Sequence, residues 1–186
     1  ISGRESAAAL AAVGLPAPEP GHCMRAGPLE IVGLASDRWL AIGEETALAD
    51  AARALAPHTA CGDATNWRQA RLMAGEAEIH AQTRGRFLPQ MIGLVELGAV
   101  SFRKGCYPGQ EVIARAQNLG RVKRALTLLR LDAPLEAGDT RDLEGARIEA
   151  LDSVALNEGD ALVQAVAPSP LPAALLASRE LQTGKA

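Results

Sequence analysis

The chain has 186 residues with a formal net charge of -3, 48% hydrophobic and 22% charged content, and only 3% aromatic residues. That length and balance describe one or two globular domains able to bury a core. The longest apolar stretches, such as Leu126 to Leu129, fall far short of the ~20 residues a membrane-spanning helix needs, so no membrane partner is expected.

The sequence opens at Ile1 rather than at a methionine, shows no secretory leader pattern, and reads as a portion of a longer protein. Positions 4–13 form an alanine-rich helical pattern closed by Gly14 and Pro16. Apolar runs at 29–34 and 38–42 flank Ser36-Asp37 and predict a hairpin, with Trp39 packed on it. Positions 45–56 carry Ala47, Leu48, Ala51, Ala52 and Leu55 at the helical period, with Pro57 ending the helix. Asp63 or Thr65 is placed to cap a further helix running to Met73.

From Gly85 to Gly120 the spacing of Gly and Pro predicts a loop-rich stretch with one short helix starting at Pro108, a residue suited to a first helical turn. Beyond it, 122–131, 146–155 and 161–167 read as strands between Asp/Gly-rich turns, a small all-β module. The division expected is therefore 1–120, then a β module at 121–170, then a tail at 171–186. Three prolines among the five residues from Pro168, and a polar end at 182–186, predict a frayed terminus.

Cys23, Cys61 and Cys106 form neither an even disulfide set nor a CxxC pair. That usage predicts a reduced, cytoplasmic setting with no disulfide partner, and no cysteine ligand set for zinc or a cluster. Cys106 lies in the densest segment of the chain, Phe102-Arg103-Lys104-Gly105-Cys106-Tyr107-Pro108-Gly109-Gln110-Glu111. Two neighbouring cations and a helix start favour thiolate over thiol, while Glu111 opposes it. Gly105 and Gly109 let backbone approach a ligand. The plainer alternative is a small buried hydrophobe in a glycine turn. Positions 103–130 hold seven Lys or Arg against the single acid Glu111, a strip suited to a small anionic partner or simply to a solvated face. The scarcity of aromatic residues argues against nucleic-acid stacking.

The segment from Lys104 to Glu111 resembles the signature KGCYxGQE of the YgfZ family, which is related to the glycine-cleavage T protein, a folate-dependent aminomethyltransferase. The likeness continues through Gly85-Arg86-Phe87-Leu88-Pro89-Gln90, similar to the family's FIPQ element, and through Leu97 to Phe102, Ala114-Arg115 and Lys123 to Leu126. Trp67 with Arg71 to Gly75 is similar to another stretch of the same families, so the resemblance covers roughly positions 30–131. Gly93 stands where many such relatives carry asparagine, and 139–147 looks short for the family's barrel.

The resemblance implies an α+β fold, with glycine-cleavage T protein-like folate-binding domains around a central opening and a small C-terminal β-barrel. The N-terminal part expected to complete that opening is not in this sequence. It further implies tetrahydrofolate as cofactor and support of the assembly or repair of iron-sulfur cluster enzymes, including those modifying tRNA, as partners. Carried over by position, Cys106 is the functional thiol, and Lys104, Gly105, Tyr107, Gly109, Gln110 and Glu111 are its motif partners. Trp67, Gln90 and Arg115 are the cofactor-binding residues; without the resemblance, Trp67 reads as a half-buried core indole. Two other classes stay open: an aminomethyltransferase, which calls for an acid at the Gln90 position, and a nonenzymatic RNA-binding module using the basic strip.

Overall fold

The computed structural model describes residues 1–118, 120, 122–156 and 159–171. The expected frayed end at 182–186, most of the tail and Arg121 lie outside those residues. The chain is a mixed helix and sheet protein of α+β type, in two compact units, Ile1–Trp67 and Arg68–Ala186. Position 120/121, the division expected from the sequence, falls within the second of these units.

In the first unit, α1 (Ser6–Ala12) precedes an antiparallel sheet of β1 (Cys23–Ala26), β2 (Leu29–Ala35) and β3 (Arg38–Ile42), and α2 (Glu45–Leu55) follows. The expected hairpin is β2–β3. Leu29, Ile31 and Gly33 alternate inward and Glu30 and Leu34 outward, as a one-sided sheet requires. Leu10, Leu29, Ile31 and Trp39 form the core, against which Ala47, Leu48 and Ala51 of α2 pack. The indole of Trp39 is buried, and its Nε1 donates to the Pro18 carbonyl at 2.9 Å. β1 was not legible in the sequence because Cys23, Met24 and Arg25 are all exposed; backbone pairing with β2 recruits it, not an apolar face.

Helix α3 (Ala64–Met73) starts where expected. Asp63 Oδ1 accepts from the Asn66 amide at 3.0 Å, and Asn66 Oδ1 accepts from the Asp63 amide at 2.9 Å, a reciprocal cap. The bond from the Asn66 amide is the main reason the Asp63 carboxyl sits below its ordinary pKa.

The second unit is organised by β4 (Arg124–Leu131), β5 (Thr140–Leu143), β6 (Ala146–Ala155) and β7 (Ala161–Pro168), antiparallel in the order β4-β7-β6-β5. Three of these strands were expected. β5 was not, because Thr140-Arg141-Asp142-Leu143 is too short and polar to show alternation. On one face Leu129, Ile148, Ala150, Val163 and Ala165 close a core. The register of β6 against β7 shifts between Ala150 and Asp152. Leu151 faces the opposite side from Ala150 and meets Val166 and Ile92 there, and the bulge puts Val154 on that same side three residues on. On this second face α3 also packs, through Leu72 against Leu128 and Val154, and Gln164 Nε2 donates to the Leu72 carbonyl at 3.5 Å.

Candidate functional site: the cysteine loop and its scaffold

The second face of the sheet is the floor from which the motif is presented. A 3₁₀ turn, Pro89–Ile92, lies on it, anchored by buried Ile92 with Phe87, Met91, Leu94 and Leu126 around it. Gly93 closes the turn at φ 77°, and a Cβ there would lie 3.1 Å from Leu126 Cδ2. The left-handed position explains the residue choice, since glycine and asparagine are the two residues that adopt it at least cost.

Gln90 projects from this turn. Its Nε2 donates to the Ile113 carbonyl at 2.9 Å, which ties the turn to α4 (Glu111–Asn118), while its Oε1 is buried with no hydrogen-bond partner among the described residues. Sequence spacing offered no signal for that bond, because a side chain meets a backbone carbonyl 23 residues away.

One expectation is corrected here: α4 starts at Glu111, not at Pro108. Tyr107-Pro108-Gly109-Gln110 is a turn, with the Gln110 amide facing the Tyr107 carbonyl at 3.4 Å and Gly109 at φ 89°. Proline followed by a glycine of positive φ is the pattern of a type II turn, which competes with a helical first turn for the same residues. Gln110 then supplies the carbonyl that receives the Ala114 amide at 2.8 Å, and Glu111 places its charge in the first turn, where the helix dipole favours an acid.

Residues 101–109 are exposed throughout. Cys106 is therefore a free thiol on a presented loop, which removes the buried-hydrophobe alternative. Lys104 Nζ sits 4.6 Å from the centre of the Tyr107 ring, so these two motif partners bracket Cys106 through a cation–π contact. Cys23 and Cys61 are also free and exposed. Arg115 stands exposed on α4, one turn beyond Glu111.

Trp67 belongs to the first unit, half-buried on α3, with the Arg38 guanidinium carbon 5.8 Å from its ring centre. Part of the basic strip is already neutralised. Arg124 pairs with Glu149 at 3.5 Å and donates to the Val166 carbonyl at 3.1 Å, and Arg130 pairs with Asp160 at 2.5 Å. For these two arginines the solvated, structural reading holds. A cleft of about 480 Å³ in the first unit, lined by Leu15, Pro28 and Ala47 among others, and one of about 200 Å³ beside Leu72, Leu126 and Gln164 contain no motif residue.

The fold is thus an α+β scaffold with an exposed cysteine on the loop that leads through a glycine turn into α4. No family model matches the chain. Over 138 residues, 70% of this chain, it is 34% identical to the "tRNA-modifying protein YgfZ" of Escherichia coli and to that of Escherichia fergusonii, and over 107 residues it is 40% identical to the same protein of an enteropathogenic Escherichia coli strain. The chain belongs to the YgfZ type as a partial chain, since the match covers 42% of the length of the first two relatives and 33% of the third. Among the described residues, no helix is long and apolar enough to cross a membrane.

Proposed function

We propose that this chain is the thiol-bearing portion of a folate-binding protein that supports the assembly or repair of iron-sulfur cluster enzymes, including those that modify tRNA, in the cytoplasm. The observation that carries the reading is the exposure of Cys106 on a loop held between the Gln90-anchored turn and α4. A thiol in that position can meet a protein-sized or cluster-bearing partner, which a buried one cannot. The likeness to proteins named for tRNA modification favours a link to that process.

For tetrahydrofolate, the contacts proposed on the second unit are Gln90 and Arg115, and Trp67 of the first unit is proposed as a contact on the family resemblance alone. The residues fit the group: Gln90 Oε1 is a buried acceptor without a partner among the described residues, which pterin N–H donors would satisfy, and an exposed guanidinium such as Arg115 suits the glutamate carboxylates. The Gln90 amide also speaks against aminomethyl transfer at this site. It donates to the Ile113 carbonyl, which an ionised acid could not do. The finer fold reading, T protein-like folate domains completed by a closed barrel, belongs with the same proposal.

The test compares Cys106→Ala with the parent in cells lacking the YgfZ-type protein, scoring iron-sulfur enzyme activity and tRNA modification beside the melting temperature of the purified variant. Loss of activity is expected at unchanged stability, because an exposed side chain contributes within about 0.5 kcal/mol. Full complementation by Cys106→Ala would show the thiol to be dispensable. Fluorescence titration of the full-length protein with tetrahydrofolate tests the ligand, with Trp67→Phe expected to remove most of the quenching.

A further inference from the structure

Two side chains close in sequence, Glu78 and His80, and the distant Asp152 of β6 bring metal-ligating atoms together in the second unit. One ligand atom each from Glu78, His80 and Asp152 lie within 4.8 Å of one another. We propose that these residues bind a divalent transition-metal ion of the zinc class, with water completing the coordination.

The ligands are held in ways that leave donor capacity open. Asp152 is buried, and its Oδ1 accepts from Arg68 Nε at 2.8 Å and from the Ser153 amide at 2.8 Å. Its second oxygen is not used by those bonds. Glu78 receives Arg71 Nη1 on Oε2 at 2.6 Å, and its Oε1 is likewise outside that bond. Carboxylates that ligate a metal are themselves held by hydrogen bonds from an outer shell, a part the guanidiniums of Arg68 and Arg71 can take here. His80 is fixed through its backbone: its amide donates to Thr83 Oγ1 at 3.0 Å, and its carbonyl accepts from the same hydroxyl at 3.2 Å, with Thr83 fully buried.

A second observation is independent of the clustering. The Nε2 of His80 is buried and has no hydrogen-bond partner among the described residues. A network of arginine–carboxylate pairs would be complete without a histidine, so a buried imidazole nitrogen left unpaired at its margin needs another explanation. The charge balance also favours a cation. Glu76 pairs with Arg71 at 3.9 Å, so three carboxylates, those of Glu76, Glu78 and Asp152, share two guanidiniums. Nitrogen and oxygen donors around tetrahedral zinc at about 2.0–2.2 Å stand roughly 3.3 Å apart. The exposed Glu78 side chain can rotate to close that difference.

The mixed imidazole and carboxylate set selects zinc-class ions over calcium or magnesium, which take oxygen ligands only. The test is calorimetric titration of zinc chloride into the metal-free 186-residue chain carrying Cys23→Ser, Cys61→Ser and Cys106→Ser, so that thiols contribute nothing. One zinc per chain is expected, with affinity at least tenfold weaker when Glu78→Gln or His80→Ala is added. Glu78→Gln keeps size at an exposed position, so its effect reports ligation and not folding. Zinc should raise the thermal midpoint of the cysteine-free chain and leave that of the His80→Ala form unmoved. Absence of uptake by the cysteine-free chain, or equal affinity in Glu78→Gln and His80→Ala, would overturn the proposal.

Discussion

Replacing Arg68 by alanine isolates the energetics of the sheet face that supports the cysteine loop. The Asp152 side chain is 3% exposed, while that of Arg68 is 49% exposed. Asp152 is the main cause of the raised Arg68 pKa, through a side-chain hydrogen bond. In Arg68→Ala the carboxylate keeps only the Ser153 amide. Breaking a buried pair from one side costs ~3–5 kcal/mol, and water entering where the half-exposed guanidinium stood reduces this to about 2–3 kcal/mol. For a chain of this length that corresponds to a fall in melting temperature of roughly 4–12 °C. Asp152→Asn retains the shape and releases Arg68 to solvent, at a cost of about 1 kcal/mol. The double variant should then resemble Asp152→Asn alone, because with no buried charge left the guanidinium has little to compensate. Urea unfolding followed by circular dichroism, with hydrogen exchange of β6 peptides, measures all four corners of the cycle. Additive effects, or an Arg68→Ala variant within about 0.5 kcal/mol of the parent, would refute the reasoning.

Gly33→Ala should destabilise the first unit by about 3 kcal/mol or more, since its Cβ would meet the Pro18 oxygen at 2.4 Å and the Glu19 oxygen at 2.5 Å, backbone atoms that cannot rotate aside; chemical denaturation read by Trp39 fluorescence checks this. At Gly93, alanine should cost about 1–2 kcal/mol and asparagine clearly less, because the strain is that of a left-handed residue; equal losses in thermal melts would contradict that account. The Asp63 cap gives a pH dependence whose sign follows from its lowered pKa. Its stabilisation is present above the unfolded-state carboxyl value and is lost as pH falls through the lower folded value. Exchange protection at the start of α3 should therefore drop in that acid window in the parent and stay flat in Asp63→Asn.

What the sequence determined by itself was local. The period of α2, the cap at Asp63, the alternation of β2 and the apolar runs of β4, β6 and β7 are each written in neighbouring residues, because helix and strand geometry repeat every few positions. The motif around Cys106 was legible through its resemblance to the family signature, carried by eight contiguous residues from Lys104 to Glu111. Pro108 misled because proline suits a type II turn as well as a helix start, and the choice rested on Gly109 adopting a positive φ. The tertiary structure alone decided the rest. β1 and β5 lack an apolar signal and exist because a neighbouring strand supplies hydrogen-bond partners. Gln90 meets Ile113, and Arg68 meets Asp152 across 84 positions, only once the sheet has formed. The bulge in β6 lets Asp152 share with Leu151 the face where Arg68 and His80 wait, and no periodicity along one strand encodes which of its residues will be the extra one.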